Sequence, residues 1–233
     1  MHIISRYNPV IILIPAKNEA MTVGHVITEI KSRLDNTVTI LVIDDASTDN
    51  TVKVARSAGA KVLSLTFSLG AWGAIQTGLR YADEHGFNTA ITMDADGQHE
   101  ADSITALLSP LVAGQCDVAV GACPQRGSLT RRLAWSFFRR LSGITLEDLT
   151  SGLRAYNKAA IALLASKEAT LLDYQDVGVL ILLRKAGLHI QEVPVFMHPR
   201  LNGHSRIFNS WWTVSQYLLH TTVLCLAQVQ REH

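Results

Sequence analysis

Val38-Thr-Ile-Leu-Val-Ile43-Asp44-Asp45-Ala-Ser47-Thr48-Asp49 decides how the rest of the chain is read. An almost unbroken apolar run, rich in β-branched residues, stops on two carboxylates, and residues able to cap a helix follow at once. A strand this apolar is covered on both faces, which is the habit of parallel sheets packed between helices. The same grammar recurs on either side. Val10–Ile14 runs into Pro15-Ala-Lys17-Asn18-Glu19, and Lys61–Leu65, Thr89–Met93 and Asp117–Val120 are further short strands. Helical patterns fill the gaps over Asn18–Leu34, from Ser47 to near Gly59, over Gly70–His85 and over Glu100–Ala113. The alternation predicts an α/β fold, a mainly parallel sheet flanked by helices, with ligands outside the carboxyl ends of the strands.

Beyond Gly121 the pattern changes. A basic helix is expected over Ser128–Leu141, a loop and short strand over Asp148–Tyr156, a helix over Gln175–Ala186 and a strand over His189–Val195. A Pro/Gly/Arg-rich loop then reaches Arg206, and a final long helix ends the chain. With 233 residues, one continuous domain is expected.

Composition narrows the class. Apolar residues are 48% of the chain and charged residues 18%, which is globular rather than disordered. A net charge of +1 excludes a surface that is electrostatic nucleic-acid binder throughout, and no RNA-recognition signature accompanies the local basic residues. Cys116, Cys123 and Cys225 form no Cys-x-x-Cys, so a reduced, cytosolic compartment is expected. Neither a signal peptide nor an apolar stretch of spanning length is read, since Trp211–Val229 is broken by polar residues.

The sharpest chemical feature is Met93-Asp94-Ala95-Asp96-Gly97-Gln98-His99. In extended chain, residues i and i+2 face the same side, so Asp94 and Asp96 bring two carboxylates together where a strand ends. Adjacent carboxylates repel unless a cation or proton lies between them, and hard oxygen ligands suit Mg²⁺ or Mn²⁺. Gln98 can add an amide oxygen. A solvated acidic turn is the plainer alternative. Asp44 and Asp45 close the second strand, where acids can bind ribose or a base, while Ser47 and Asp49 serve as helix caps. Nine histidines form no metal-ligand spacing, and His99 reads as a structural residue. Gly70-x-x-Gly73 is not the Gly-x-Gly-x-x-Gly of a nicotinamide dehydrogenase.

Taken in order, Pro15-x-x-Asn18-Glu19, Ile43-Asp-Asp-x-Ser-x-Asp-x-Thr51 and Asp94-Ala-Asp-Gly-Gln-His99 resemble family 2 glycosyltransferases of the GT-A fold. Asp148-Leu-Thr-Ser151-Gly152-Leu-Arg154, Glu192-Val-Pro-Val195 and Arg200-Leu-Asn-Gly-His-Ser-Arg206 resemble the dolichyl- and polyprenyl-phosphate mannosyl- or glucosyltransferase branch. The resemblance implies a nucleotide-sugar-binding half at about 8–121, an acceptor-side half at about 122–206 and a docking helix at 207–233. It implies that Pro15, Lys17, Glu19, Ile43, Asp44, Asp45, Ala95 and Arg126 contact a UDP- or GDP-sugar. Asp94, Asp96 and Gln98 would hold Mg²⁺ or Mn²⁺, and Arg200 and Arg206 would join the two aspartates in catalysis. Asp148, Ser151, Gly152 and Arg154 would lie on the acceptor side.

Two departures stand out. The turn before the third helix, Ser68-Leu-Gly70-Ala-Trp72, lacks the family's basic residue, and Gly178 stands where an acid is usual, with Asp173 or Asp176 as substitutes. The implied activity is inverting transfer of a hexose to a polyprenyl phosphate by a peripheral enzyme at the cytoplasmic membrane face. Extension of a glycan or lipid-linked oligosaccharide is the alternative, as is a non-catalytic nucleotide-sugar-binding protein. Four arginines and three aromatics in Ser128–Leu141 suit an interfacial helix or, equally, a core helix with a basic face. Trp211, Trp212 and Tyr217 suit membrane contact, core packing or docking on a small membrane subunit.

Overall fold

The computed structural model describes residues 9–34, 38–123, 135–140, 143–172, 176–198 and 222. Strands β1 (Val10–Ala16), β2 (Val38–Asp44), β3 (Lys61–Ser64), β4 (Thr89–Thr92) and β5 (Val118–Ala122) alternate with helices α1 (Val23–Arg33), α2 (Thr51–Ser57), α3 (Gly70–Glu84) and α4 (Asp102–Val112). A helix described over 135–140 (α5) precedes β6 (Arg154–Asn157), α6 (Lys158–Ala165), a 3₁₀ turn at Glu168–Leu171, α7 (Val177–Lys185) and β7 (Ile190–Pro194). The strands form one seven-stranded sheet in the order β3-β2-β1-β4-β6-β5-β7. Every pairing is parallel except those of β6, which runs antiparallel between β4 and β5.

Both faces of the sheet are covered, as the apolar runs require. Ile11, Leu13, Leu41 and Ile43 point into one core with α3, α6 and α7, while Ile12, Ile14, Val42 and Ile91 point into the other with α1 and α4. Each such side chain contributes about 1.5–3 kcal/mol by leaving water. Trp135 and Phe138 of α5 belong to the first core, whereas Phe137 and Arg140 are exposed. Two of the three aromatics of the basic helix are therefore packing residues. No helix among the described residues is long and apolar enough to cross a membrane. The expected helix over 207–233 lies outside the described residues except Thr222.

The structure differs from the sequence expectation at two elements. The first helix begins at Val23 rather than near Asn18, because Asn18 takes a left-handed backbone (φ 53°) and bonds to the neighbouring loop instead of capping. Helix α6 is not expected from the sequence. It is short, and its cap is Asn157, whose side chain accepts from the Ala160 amide at 2.9 Å.

Gly78 sets how closely α3 approaches the sheet. A Cβ there would stand 2.8 Å from Ile43 Cδ1 and 3.1 Å from Leu13 Cδ2. Gly78→Val is expected to lower unfolding stability by about 1–3 kcal/mol through overpacking, measured by urea denaturation.

Candidate active site

The carboxyl ends of β1 and β2 lead into two loops that lock together. The Asn18 amide donates to Ser47 Oγ (2.9 Å), and Asn18 Oδ1 accepts from the Thr48 amide (2.8 Å). The Glu19 amide donates to Thr51 Oγ1 (2.8 Å) and the Ala20 amide to Asp49 Oδ2 (3.2 Å). Asp49 also accepts from the amide and hydroxyl of Thr51. Burial pulls its pKa up, but hydrogen bonds from Thr51 and Ala20 outweigh that, leaving it below the ordinary aspartate value of 3.8.

Asp44 and Asp45 are both buried and face inward to backbone donors. Asp44 Oδ1 accepts from the Ser47 amide at 3.2 Å, closing the turn in which Ala46 is left-handed. Asp45 accepts from the Ser68 hydroxyl and the Leu69 amide, both at 2.6 Å, and from the Gly70 amide at 3.2 Å. Lys17 reaches the same turn and donates from Nζ to Ser68 Oγ at 2.9 Å. The turn that lacks its own basic residue thus has one supplied from the end of β1. Ile43 is fully buried in the core, Ala95 is buried, and Pro15 and Glu19 are half-buried.

Asp94 and Asp96 follow β4 and are partly exposed, with Gln98 beyond them. Asp96 Oδ1 accepts from the Gln98 amide at 3.1 Å, which tightens the turn around Gly97. Gln98 Nε2 donates to the His198 carbonyl (3.2 Å), the His198 amide donates to the Gln98 carbonyl (2.8 Å), and His198 Nε2 pairs with Glu100 Oε1 (2.8 Å). These bonds tie the aspartate turn to the segment after β7.

From the other side comes the turn before β6. The Thr92 hydroxyl donates to the Gly152 carbonyl at 2.8 Å. A Cβ on Gly152 would stand 2.5 Å from Asp94 Oδ2 and 2.7 Å from Oδ1. Glycine is therefore required for the carboxylate to lie where it does. Asp148, Ser151 and Arg154, expected on the acceptor side, have no surface with which to meet an acceptor: all three are fully buried. Their bonds shape the turn instead. Arg154 donates from Nε to the Ser151 carbonyl (2.9 Å) and from Nη2 to the Leu149 carbonyl (3.1 Å). Asp148 Oδ1 accepts from the Thr150 amide (3.1 Å), and Glu192 Oε1 of β7 accepts from the amides of Glu147 and Asp148. Asp176 caps α7, accepting from the Gly178 amide at 3.4 Å. Arg126, Asp173, Arg200 and Arg206 lie outside the described residues.

Two carboxylates and an amide oxygen on one turn, with the Asp94 carboxylate seated where a Cβ at 152 would displace it, fit Mg²⁺ or Mn²⁺. Among the described residues no group of three or more His, Cys, Asp or Glu side chains is placed to hold a metal. Gln98 and the oxygens of a bound ligand would then complete the coordination. Sulfur chemistry is not indicated at Cys116, whose burial and the neighbouring Asp117 push its thiol up to about 11.

Comparison with known proteins supplies an independent line of observation. The family model described as "Glycosyl transferase family 2" matches residues 11–164. A UDP-N-acetylglucosamine–dolichyl-phosphate N-acetylglucosaminyltransferase of Methanococcus voltae is 31% identical over 212 residues, 79% of this chain and 83% of its own. An undecaprenyl-phosphate mannosyltransferase of Micrococcus luteus is 28% identical over 212 residues, covering 85% of this chain and 87% of its own. Among solved structures, glucosyl-3-phosphoglycerate synthase from Mycobacterium tuberculosis, in complex with Mn²⁺, UDP and phosphoglyceric acid, superposes with a TM-score of 0.75. Its identity is 21%, over 96% of this chain and 80% of the other, so the likeness is one of fold. It bears out the α/β architecture of the GT-A type.

Gly152→Ala is expected to push the Asp94 carboxylate aside and weaken Mn²⁺ binding about 10-fold or more, read by calorimetric titration beside an unchanged circular-dichroism spectrum. Asp49 gives a pH signature. Because its folded pKa is depressed, its stabilisation is present above about pH 4 and is lost as pH falls through the folded value. The stability gap between the native protein and Asp49→Asn should close on acidification from pH 5 to pH 2.5 in urea titrations.

Proposed function

The chain belongs to glycosyl transferase family 2, and on that premise we propose that it transfers a sugar from a nucleotide-sugar donor to a polyprenyl phosphate, with a divalent cation at Asp94, Asp96 and Gln98. The observation that carries the reading is the turn after β4, which carries two part-exposed carboxylates, Asp94 and Asp96, the first of them seated against Gly152. The named relatives acting on dolichyl and undecaprenyl phosphate supply the acceptor class. Their donors differ in sugar, so UDP- and GDP-linked hexoses or N-acetylhexosamines are the substrates to compare.

When bound, the cation neutralises charge on the donor diphosphate and polarises its bond to the sugar. The protein's own residues do the rest. Asp94 and Asp96 fix the place of that charge, and Gln98 is held by the segment after β7. Lys17, anchored on Ser68, puts a cation at the carboxyl edge between β1 and α3, toward which a diphosphate is drawn. A phosphate oxygen of the acceptor attacks C1 of the sugar as the C1–O bond to the nucleoside diphosphate breaks, and the electron pair leaves with the diphosphate. One displacement inverts the anomeric centre.

No proton has to be removed, because a phosphate monoester is largely anionic near pH 7. That agrees with the place of Asp176, buried and bonded as the cap of α7, where a general base would need reach to a hydroxyl. The acceptor is a membrane lipid, so the reaction runs at the membrane surface, and the cytoplasmic face is where nucleotide sugars are available.

The test is transfer of radiolabel from UDP-glucose, UDP-N-acetylglucosamine or GDP-mannose into organic-extractable undecaprenyl phosphate in detergent. One donor is expected to yield product, EDTA to abolish it and Asp96→Asn to reduce it by at least about 100-fold. Label appearing only on an oligosaccharide acceptor would overturn the polyprenyl-phosphate assignment.

A further inference from the structure

His99 is among the most enclosed polar side chains near the site. Its side chain is fully buried, neither ring nitrogen has a hydrogen-bond partner among the described residues, and Nε2 lies 3.6 Å from Asp94 Oδ2. A buried imidazole with no partner is costly and calls for an explanation. Its backbone is fixed as well, since His99 pairs with Met197 in an isolated antiparallel bridge flanked by the two bonds between Gln98 and His198. The backbone that carries the ring is therefore tied in place, and Nε2 lies just beyond hydrogen-bonding length from the carboxylate. Gly152 bounds the same carboxylate from the β6 side.

We propose that His99 is the positioning residue for Asp94, donating its Nε2–H to Oδ2 so that the other carboxylate oxygen is presented to the cation. The inference rests on the metal-dependent reading above and adds a residue to it. A few tenths of an ångström of carboxylate movement make the bond. A carboxylate held through one oxygen binds with the other, the one-oxygen mode that a small octahedral cation prefers. A hydrogen bond to the ligand also fixes its orientation, and loss of such a partner typically weakens metal binding about 10–100-fold.

The test compares Mn²⁺ uptake by the full chain, His99→Leu and His99→Gln, counting free Mn²⁺ by electron paramagnetic resonance with UDP and, in parallel, with GDP. His99→Leu is expected to bind Mn²⁺ about 10–100-fold more weakly, and His99→Gln, whose amide can donate from near the Nε2 position, within about threefold of the native chain. Nucleotide binding in EDTA should be alike in all three. Undiminished uptake by His99→Leu, or equal weakening in both variants, overturns the proposal and leaves His99 a packing residue. The native chain gives an independent reading: ¹⁵N spectra of the imidazoles, with His99 identified by its loss in His99→Gln, should show the Nε2–H tautomer. An Nδ1–H tautomer overturns the proposal whatever the variants do. A native chain that takes up no Mn²⁺ with either nucleotide overturns the metal-dependent function itself.

Discussion

The carboxyl edge of this sheet depends on one close approach, that of the Asp94 carboxylate to the α-carbon of Gly152. Residue 152 is far from residue 94 in sequence and reaches it because β6 enters the sheet antiparallel between β4 and β5. The Thr92 hydroxyl holds the Gly152 carbonyl, and the missing side chain leaves the carboxylate its place. The part of the chain that follows the parallel strands and the part that precedes β6 therefore share one wall. Neither can be displaced without moving the other, and a wall that cannot shift is what a site needs if it is to stabilise charge without reorganising.

Much of the fold was legible because β1 and the middle of β2 are buried on both faces and apolar. Such runs are hard to mistake when helices of regular period separate them. The first turn of α1 was not legible, since Asn18 has the composition of a helix cap but lies next to a loop offering Ser47 and Thr48. Local propensity predicted one partner, and the tertiary neighbour supplied a better one. Helix α6 escaped for a different reason. Eight residues give barely two turns, too few for a period, and the cap at Asn157 carries no sign of itself until the helix is seen.

Within the site, the two-residue spacing of Asp94 and Asp96 was readable directly from strand geometry. The inward roles of other charged residues were not. Arg154 is expected on the acceptor side from the sequence, and two backbone carbonyls close around it at full burial. Asp45, which the resemblance puts at the nucleotide sugar, also anchors the turn at Ser68–Gly70, a role its sequence context does not announce. Sequence gives the sign of a charge but not which backbone dipoles converge on it. Lys17 makes the same point in reverse: a basic residue absent from one loop is provided by another that folding brings alongside.

That distribution bears on the chemistry. Asp44, Asp45, Asp148 and Asp176 each accept hydrogen bonds from backbone amides, as does Glu192. A carboxylate bonded in this way is fixed in position and turned toward the backbone that it holds. The edge is accordingly built to fix loops and to place a compact negative site at Asp94 and Asp96. The proposed acceptor suits such an edge, since a phosphate needs only alignment with the sugar carbon and a stabilised leaving diphosphate.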